Sequence, residues 1–309
     1  MKKYLIKTGL FIFICFIILT IIMLKYGGNI DYFYNKFTTP KAKSMIIGDS
    51  RSMQGIQPTI INHKLKTENF ELPILNYSFT IAQAPIGPLY AESILKKLDN
   101  SSKEGMFIIS MTPWMLASDN NKFDNNLGEF REEGAPPHNM NFVSMNPNYE
   151  YLLKNLNYFH FKALFRQTST MHKDGWLEEI NLPDSPEVFN SWKKNQQHIF
   201  EKMIAEYVVS SLRLKSLDDL IKRLKKHGKV YIVRMPIDLD FLAMENSFYK
   251  GFDNDMKTVS KKNNILYINF NNGSANSFKT YDGHHLDKKG GAIFTEILCD
   301  SVLKYEKNL

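Results

Sequence analysis

Cysteine is nearly absent: the 309 residues contain two, Cys15 and Cys299. Two thiols cannot build a disulfide framework, and neither belongs to a metal-ligand pair, which excludes a disulfide-stapled scaffold. Cys15 also lacks the preceding small residues of a lipoprotein signal, so both read as packing residues. A basic stripe interleaved with aromatics is missing as well. The formal net charge is +7, but Lys2, Lys3, Lys7 and Lys25 carry four of those charges and residues 1–25 contain no acid, which leaves about +3 for the rest of the chain. That bias is too weak to indicate a nucleic-acid partner. There is no internal repeat. With 43% hydrophobic and 23% charged residues, the composition is that of a globular chain large enough for one sizeable core.

Charge is also lacking from Thr8 to Leu24, TGLFIFICFIILTIIML. Such a run sits at the short end of what crosses a bilayer as a helix, and it predicts a transmembrane anchor over residues 1–25. The alternative is a cleaved signal peptide. Against it, the apolar core exceeds the usual ~7–15 residues and is followed by LKYGGNIDYF, with no small-x-small cleavage site. Lysines 2, 3 and 7 place the N-terminus in the cytoplasm by the positive-inside rule, although Lys25, Lys36, Lys41 and Lys43 reduce the contrast. Most of the protein is then expected outside the cytoplasmic membrane. A cytoplasmic domain acting on a lipid ester would require the anchor to be inverted.

Residues 26–42, with Gly27-Gly28, several aromatics and Pro40, read as a juxtamembrane linker. From residue 43 onward, short apolar strands alternate with longer helix-like segments. Strands are expected near 43–48, 71–79, 105–111, 229–235 and 264–270, and helices near 55–66, 86–99, 195–227, 245–262 and 287–304. This alternation predicts an α/β fold with a five-stranded parallel sheet and helices on both faces. Residues 112–194 break the rhythm with runs such as DNNKFDNN and EEGAPPHNMNF, and read as an insertion after the third strand. Loops of that length in a compact domain are functional or disordered, and the aromatic content argues against disorder.

In an open parallel sheet, ligands collect beyond the carboxyl ends of the strands. Ser50, in MIIGDSRSMQG, follows the first strand at that end. Gly48 permits a close turn, and a new helix beginning at Ser50 leaves amide N–H groups free to meet an anion. Asp and Ser are also ordinary helix N-caps, so this motif alone is ambiguous. At the far end, TYDGHHLDKKGGAIFTEIL places Asp282 and His285 three residues apart before the last helix. A serine hydroxyl needs a histidine to take its proton, and the histidine needs an acceptor that fixes its tautomer. Ser50, His285 and Asp282 supply those roles. His284 is a rival base without a partner at the same spacing.

Gly48-Asp49-Ser50 after the first strand and Asp282-Gly283-His284-His285-Leu286 before the last helix, with Gly290 following, resemble the SGNH, or GDSL-like, hydrolases over roughly residues 43–305. The resemblance implies a flavodoxin-like three-layer sandwich, with Ser50 as nucleophile, His285 as base, Asp282 as its orienting acid, and no cofactor or metal. The family's two middle motifs are altered here to Asn76-Tyr77-Ser78 and Ser110-Met111-Thr112-Pro113. Ser78 and Thr112 are candidate oxyanion donors beside the Ser50 N–H. Asn76 is either a third such residue or a turn residue. Arg51 either pairs with an anionic substrate group or forms a surface salt bridge.

A single anchor before such a domain resembles envelope proteins that remove or transfer acyl groups, including the D-alanyl transfer protein of teichoic acid and the acetyltransferases of exopolysaccharides. That implies a serine esterase or O-acyltransferase acting on an envelope polysaccharide or related polymer, with a membrane-embedded O-acyltransferase as a partner. Trp114, Tyr149, Tyr151, Tyr158, Phe159 and Trp176 in the insertion are either stacking faces for sugar rings or the core of a subdomain. The rival reading is a non-catalytic envelope polymer binding or assembly subunit on a degenerate hydrolase fold.

Overall fold

The structure is a computed structural model of the chain, and it describes residues 1–30, 33–119, 128–134, 140–155, 168–272 and 278–308. In chain order the helices are α1 (Lys2–Ile30), α2 (Tyr34–Thr38), α3 (Ser50–Gly55), α4 (Pro58–Lys64), α5 (Pro88–Lys97), α6 (Tyr149–Asn155), α7 (Pro186–Glu206), α8 (Ser211–Leu224), α9 (Leu239–Phe248), α10 (Phe252–Asn263) and α11 (Lys288–Glu306). The strands are β1 (Ser44–Ile47), β2 (Ile74–Asn76), β3 (Gly105–Ser110), β4 (Ala117–Asp119), β5 (Ser169–Met171), β6 (Leu177–Glu179), β7 (Tyr207–Val209), β8 (Gly228–Arg234) and β9 (Leu266–Asn269).

Five strands form one parallel sheet in the order β2-β1-β3-β8-β9, which is the flavodoxin-like order. Met45 lies opposite Leu75 and Phe107, and Ile108 opposite Tyr231. The central strands are buried on both faces, as βαβ crossovers require, so they read as continuous apolar runs. Successive side chains still alternate between faces. Met45, Ile47, Phe107, Ile109, Val230 and Ile232 join one core with α2, α5, α8 and α10. Ile46, Met106, Ile108, Tyr231 and Val233 join the other with α4 and α11. The result is a three-layer sandwich in which all five expected strands are present.

The helices are more broken than their apolar pattern suggests. The segment 55–66 divides at Ile56-Gln57, and Pro58 starts α4 at the first helical position, where its missing N–H costs nothing. The segment 195–227 is two helices. Tyr207–Val209 leaves the helix to pair antiparallel with Ala117–Asp119, and Ser210 then caps α8 by accepting from the Arg213 N–H. The segment 245–262 divides between α9 and α10 at Tyr249–Gly251. The insertion holds a 3-10 turn at Pro113–Leu116, another at Gly128–Gly134, α6, the hairpin β5–β6 and the start of α7.

The region 26–42 also departs from a plain linker. α1 runs to Ile30, and its segment Lys2–Ile22 is long and apolar enough to cross a membrane, with mean hydropathy 2.7 and none of that window buried. α2 then buries Tyr34, Lys36 and Phe37. The Lys36 ammonium donates to the Asn76 carbonyl at 2.7 Å and the Gly175 carbonyl at 2.5 Å, with no carboxylate in hydrogen-bond contact among the described residues. Burial therefore pushes its pKa down to about 7. Lys97, also buried, donates to the Thr39 carbonyl and is likewise pushed down by burial to about 7.

A lysine with a depressed folded pKa binds fewer protons than the unfolded chain between about pH 7 and its ordinary pKa near 10.5, so its contribution to stability rises with pH across that window. We predict that chemical denaturation of wild type and Lys36→Met at several pH values will show their stability difference moving in favour of wild type between pH 7 and 10. A difference independent of pH would show that Lys36 is charged throughout.

Candidate active site

β1 ends at Ile47, and the chain must turn at once into α3 beneath the end of β3. Gly48 makes that approach possible: a Cβ there would meet the Ser52 hydroxyl and lie 2.8 Å from the Ser110 carbonyl. Asp49 is the helix N-cap. Its Oδ1 accepts from the Arg51 N–H at 3.0 Å, and its Oδ2 accepts from the Thr112 hydroxyl at 2.8 Å. Burial raises the Asp49 pKa from the ordinary value, while the neighbouring Arg51 charge opposes the rise. Because Asp49 takes the cap, Ser50 at the first helical position has its hydroxyl free for another partner.

That partner is His285. Its Nε2 lies 2.9 Å from Ser50 Oγ, and its Nδ1 lies 2.8 Å from Asp282 Oδ2. With the Nδ1–H donating to the carboxylate, Nε2 is left to accept from the serine hydroxyl. Asp282 Oδ1 also accepts from the His284 and His285 N–H groups, at 2.8 and 2.7 Å, which closes the loop around the carboxylate. Burial alone would raise the Asp282 carboxyl, but the His285 imidazole and these N–H donors outweigh it and hold the pKa below the usual value. The His285 and Asp282 side chains are each 11% exposed, so the pair is largely shielded yet reachable from solvent.

The loop carrying this pair is clamped from α7 and α9. Gly283 has φ +81°, and a Cβ there would collide with Phe241. Gln196 Nε2 donates to His284 Nδ1 at 3.0 Å, and Lys193 donates to Asp238 at 2.8 Å beside the same loop. Trp192 packs edge-on against Tyr281, whose ring in turn stacks on His285 at 5.7 Å. His284 is buried between Phe200 and Phe241, and burial, then the charges of His285 and Arg51, hold its pKa well below the ordinary value. It stays neutral with Nδ1 occupied, and it does not share the Ser50 hydroxyl.

The remaining sequence candidates do not converge on Ser50 Oγ through their side chains. The Asn76 amide donates to the Ser52 and Ile56 carbonyls at 2.8 and 3.0 Å, and its Oδ1 accepts from the Ser78 N–H at 3.2 Å. It ties α3 to β2 as a turn residue. The Ser78 hydroxyl pairs with Ser52 Oγ at 2.9 Å, and the Thr112 hydroxyl is held by Asp49. The Ser50 N–H lies in the first turn of α3, outside the intrahelical ladder.

Arg51 is neither a surface salt bridge nor open to solvent. It is 1% exposed and pairs with buried Glu245, which also binds Arg234 at 3.1 Å; Arg234 reaches Asp253 at 3.1 Å. Of the insertion aromatics, Trp114, Tyr151 and Trp176 are buried, and the Trp176 indole donates to the Gln54 carbonyl at 2.6 Å. Tyr149 stacks on Phe16 of α1. Tyr158 and Phe159 lie outside the described residues. Among the described residues no His, Cys, Asp and Glu cluster forms a metal-binding group.

No protein-family model matches the chain. No curated protein matches it either. Among solved structures, the chain is similar to the psychrotrophic esterase EstA from Pseudoalteromonas sp., in a structure inhibited by monoethylphosphonate. Identity is 12%, the TM-score is 0.40, and the match covers 85% of this chain and 97% of that one.

Removing Glu245 would leave two arginines buried beside α3 with their shared carboxylate gone. We predict that Glu245→Ala destabilises the fold by about 3–5 kcal/mol, the usual result of breaking a buried ion pair. Denaturant titration followed by near-ultraviolet circular dichroism checks this; a loss under ~1 kcal/mol, typical of exposed pairs, would contradict the buried assignment.

Proposed function

We propose that this protein is a membrane-anchored serine esterase or O-acyltransferase. Its substrate class is the acyl esters of a cell-envelope polysaccharide or related polymer. The observation that carries the reading is the continuous hydrogen-bond chain from Ser50 through His285 to Asp282, at 2.9 and 2.8 Å. The anchor reading draws on α1, whose first 22 residues include a segment of membrane-spanning length. With α1 entering from the cytoplasm, the catalytic domain works outside the membrane. The partner in this reading is a membrane-embedded O-acyltransferase that delivers the acyl donor.

In the first step Ser50 Oγ attacks the ester carbonyl while its proton passes to His285 Nε2. Asp282 holds the Nδ1–H and stabilises the imidazolium. The carbonyl oxygen becomes an oxyanion facing the Ser50 N–H and the positive end of α3. Collapse breaks the ester C–O bond, and the imidazolium returns its proton to the departing alkoxide. The acyl group is now an ester of Ser50. A water or a sugar hydroxyl then loses its proton to His285 and attacks the acyl-enzyme, which regenerates Ser50 and releases either the acid or a new ester.

Side-chain oxyanion donors matter less in this site than the backbone, because Thr112 and Asn76 are both engaged elsewhere. The same feature is what a non-catalytic binding subunit would show. The test is labelling of the full-length protein with a fluorophosphonate, read by mass spectrometry of the Ser50 peptide. We predict that wild type is labelled and that Ser50→Ala and His285→Ala are not. Asp282→Asn is expected to slow labelling by up to ~10⁴-fold while the protein stays folded, because the imidazole then loses its required tautomer. Ser78→Ala, which keeps the backbone N–H, should slow it by less than the ~10²–10³ of a lost oxyanion donor. An unlabelled wild type whose Ser50→Ala variant still complements a deletion would establish the binding-subunit reading instead.

A further inference from the structure

α1 touches the globular domain inside its own apolar stretch. Phe16 stacks on Tyr149 with ring centroids 5.0 Å apart, and Thr20 Oγ shares a hydrogen bond with the Tyr149 hydroxyl at 2.7 Å. Tyr149 opens α6, so this contact fixes the height of α6 along α1. At about 1.5 Å per residue, Thr20 lies ~8 Å and Phe16 ~14 Å below Lys25, where the uncharged stretch ends. The Tyr149 hydroxyl, level with Thr20, therefore lies within the about 5–10 Å that interfacial elements bury into the headgroup–acyl boundary, and its ring reaches deeper, towards Phe16.

The segment leading into α6 carries apolar side chains on its surface. Phe142 is 39% and Met145 is 41% exposed. The exposure is built in, because the loop is pinned from behind: the Ser144 N–H donates to the Phe37 carbonyl at 2.6 Å and the Asn148 N–H to the Tyr34 hydroxyl at 3.2 Å. Lys154, paired with Glu150, places its ammonium 5.7 Å from the centre of the Phe142 ring. Apolar groups rimmed by a polar ion pair suit the boundary where headgroups lie above acyl chains.

We propose that residues 140–155 form an edge of the domain seated in the headgroup–acyl boundary of the leaflet that α1 leaves at its C-terminal end. The domain is then docked on lipid as well as tethered, with Phe142, Met145 and Tyr149 as the inserted groups. The proposal rests on the reading of α1 as a membrane-spanning helix.

Spin-label accessibility in the full-length protein tests both. Nitroxides are placed at Phe142→Cys and Met145→Cys in a Cys15→Ala background, Cys299 being buried. Ile293→Cys on α11, in the opposite helical layer, serves as a control at an exposed apolar residue. A separate sample carries the label at native Cys15. In vesicles of phosphatidylethanolamine and phosphatidylglycerol, labels at 142 and 145 should be relaxed more by oxygen than by a water-soluble nickel chelate, with the order reversed at 293. Adding Tyr149→Ala should move 142 and 145 towards the profile of 293. Aqueous profiles at 142 and 145 with Cys15 in the acyl region would overturn the docking while leaving the anchor intact. An aqueous Cys15 would overturn the anchor and the docking with it.

Discussion

The hydrogen bond from the Arg51 N–H to Asp49 Oδ1 is the constraint on which the site depends. A helix that starts at the end of a buried strand must satisfy its first amides, and the nearest hydroxyl would ordinarily do so. Here the residue before the serine takes that task, with its second oxygen held by Thr112 from the end of β3. Ser50 is thereby released from the backbone and turned towards the loop before α11. The same bond fixes the first turn of α3, which begins at Ser50.

Two further sets of contacts hold the other half of the site in register. The loop from Thr280 to Leu286 is clamped by α7 and α9 through Gln196, Lys193 and Phe241, and its turn requires a glycine at 283. Beneath α3, Glu245 on α9 binds both Arg51 and Arg234 in a region closed to water. Charges buried in this way are costly to separate, so α9, β8 and α3 are coupled through one carboxylate. The insertion therefore contributes to the site by packing: its buried tryptophans brace α3 and α7.

Much of this was legible in the chain because it depends on local pattern. The five strands announce themselves by apolar runs, although the second spans only Ile74–Asn76 of the expected 71–79, and the three-residue spacing of Asp282 and His285 puts carboxylate and imidazole within one turn. Asp49 was readable too, since an aspartate immediately before a new helix is a favoured cap. The rest depends on contacts between distant residues. Nothing near Arg51 signals a partner 194 positions away, so its burial had no sequence mark. The division of 195–227 at Tyr207 is set by pairing with Ala117–Asp119, a tertiary demand that overrides a helical pattern. Thr112 follows the third strand and Asn76 ends the second, which is all the sequence says of them, and only the fold shows that Asp49 and the Ser52 and Ile56 carbonyls have engaged them.

The most direct measurement of the central claim is the proton resonance of the His285 Nδ1–H in protein labelled with nitrogen-15 at histidine. The account predicts a far-downfield signal that is protected from exchange, lost in Asp282→Asn and kept in His284→Gln, with Nε2 unprotonated and responsive to Ser50→Ala. A His285 protonated at Nε2, or one whose Nδ1–H is indifferent to Asp282→Asn, would contradict it.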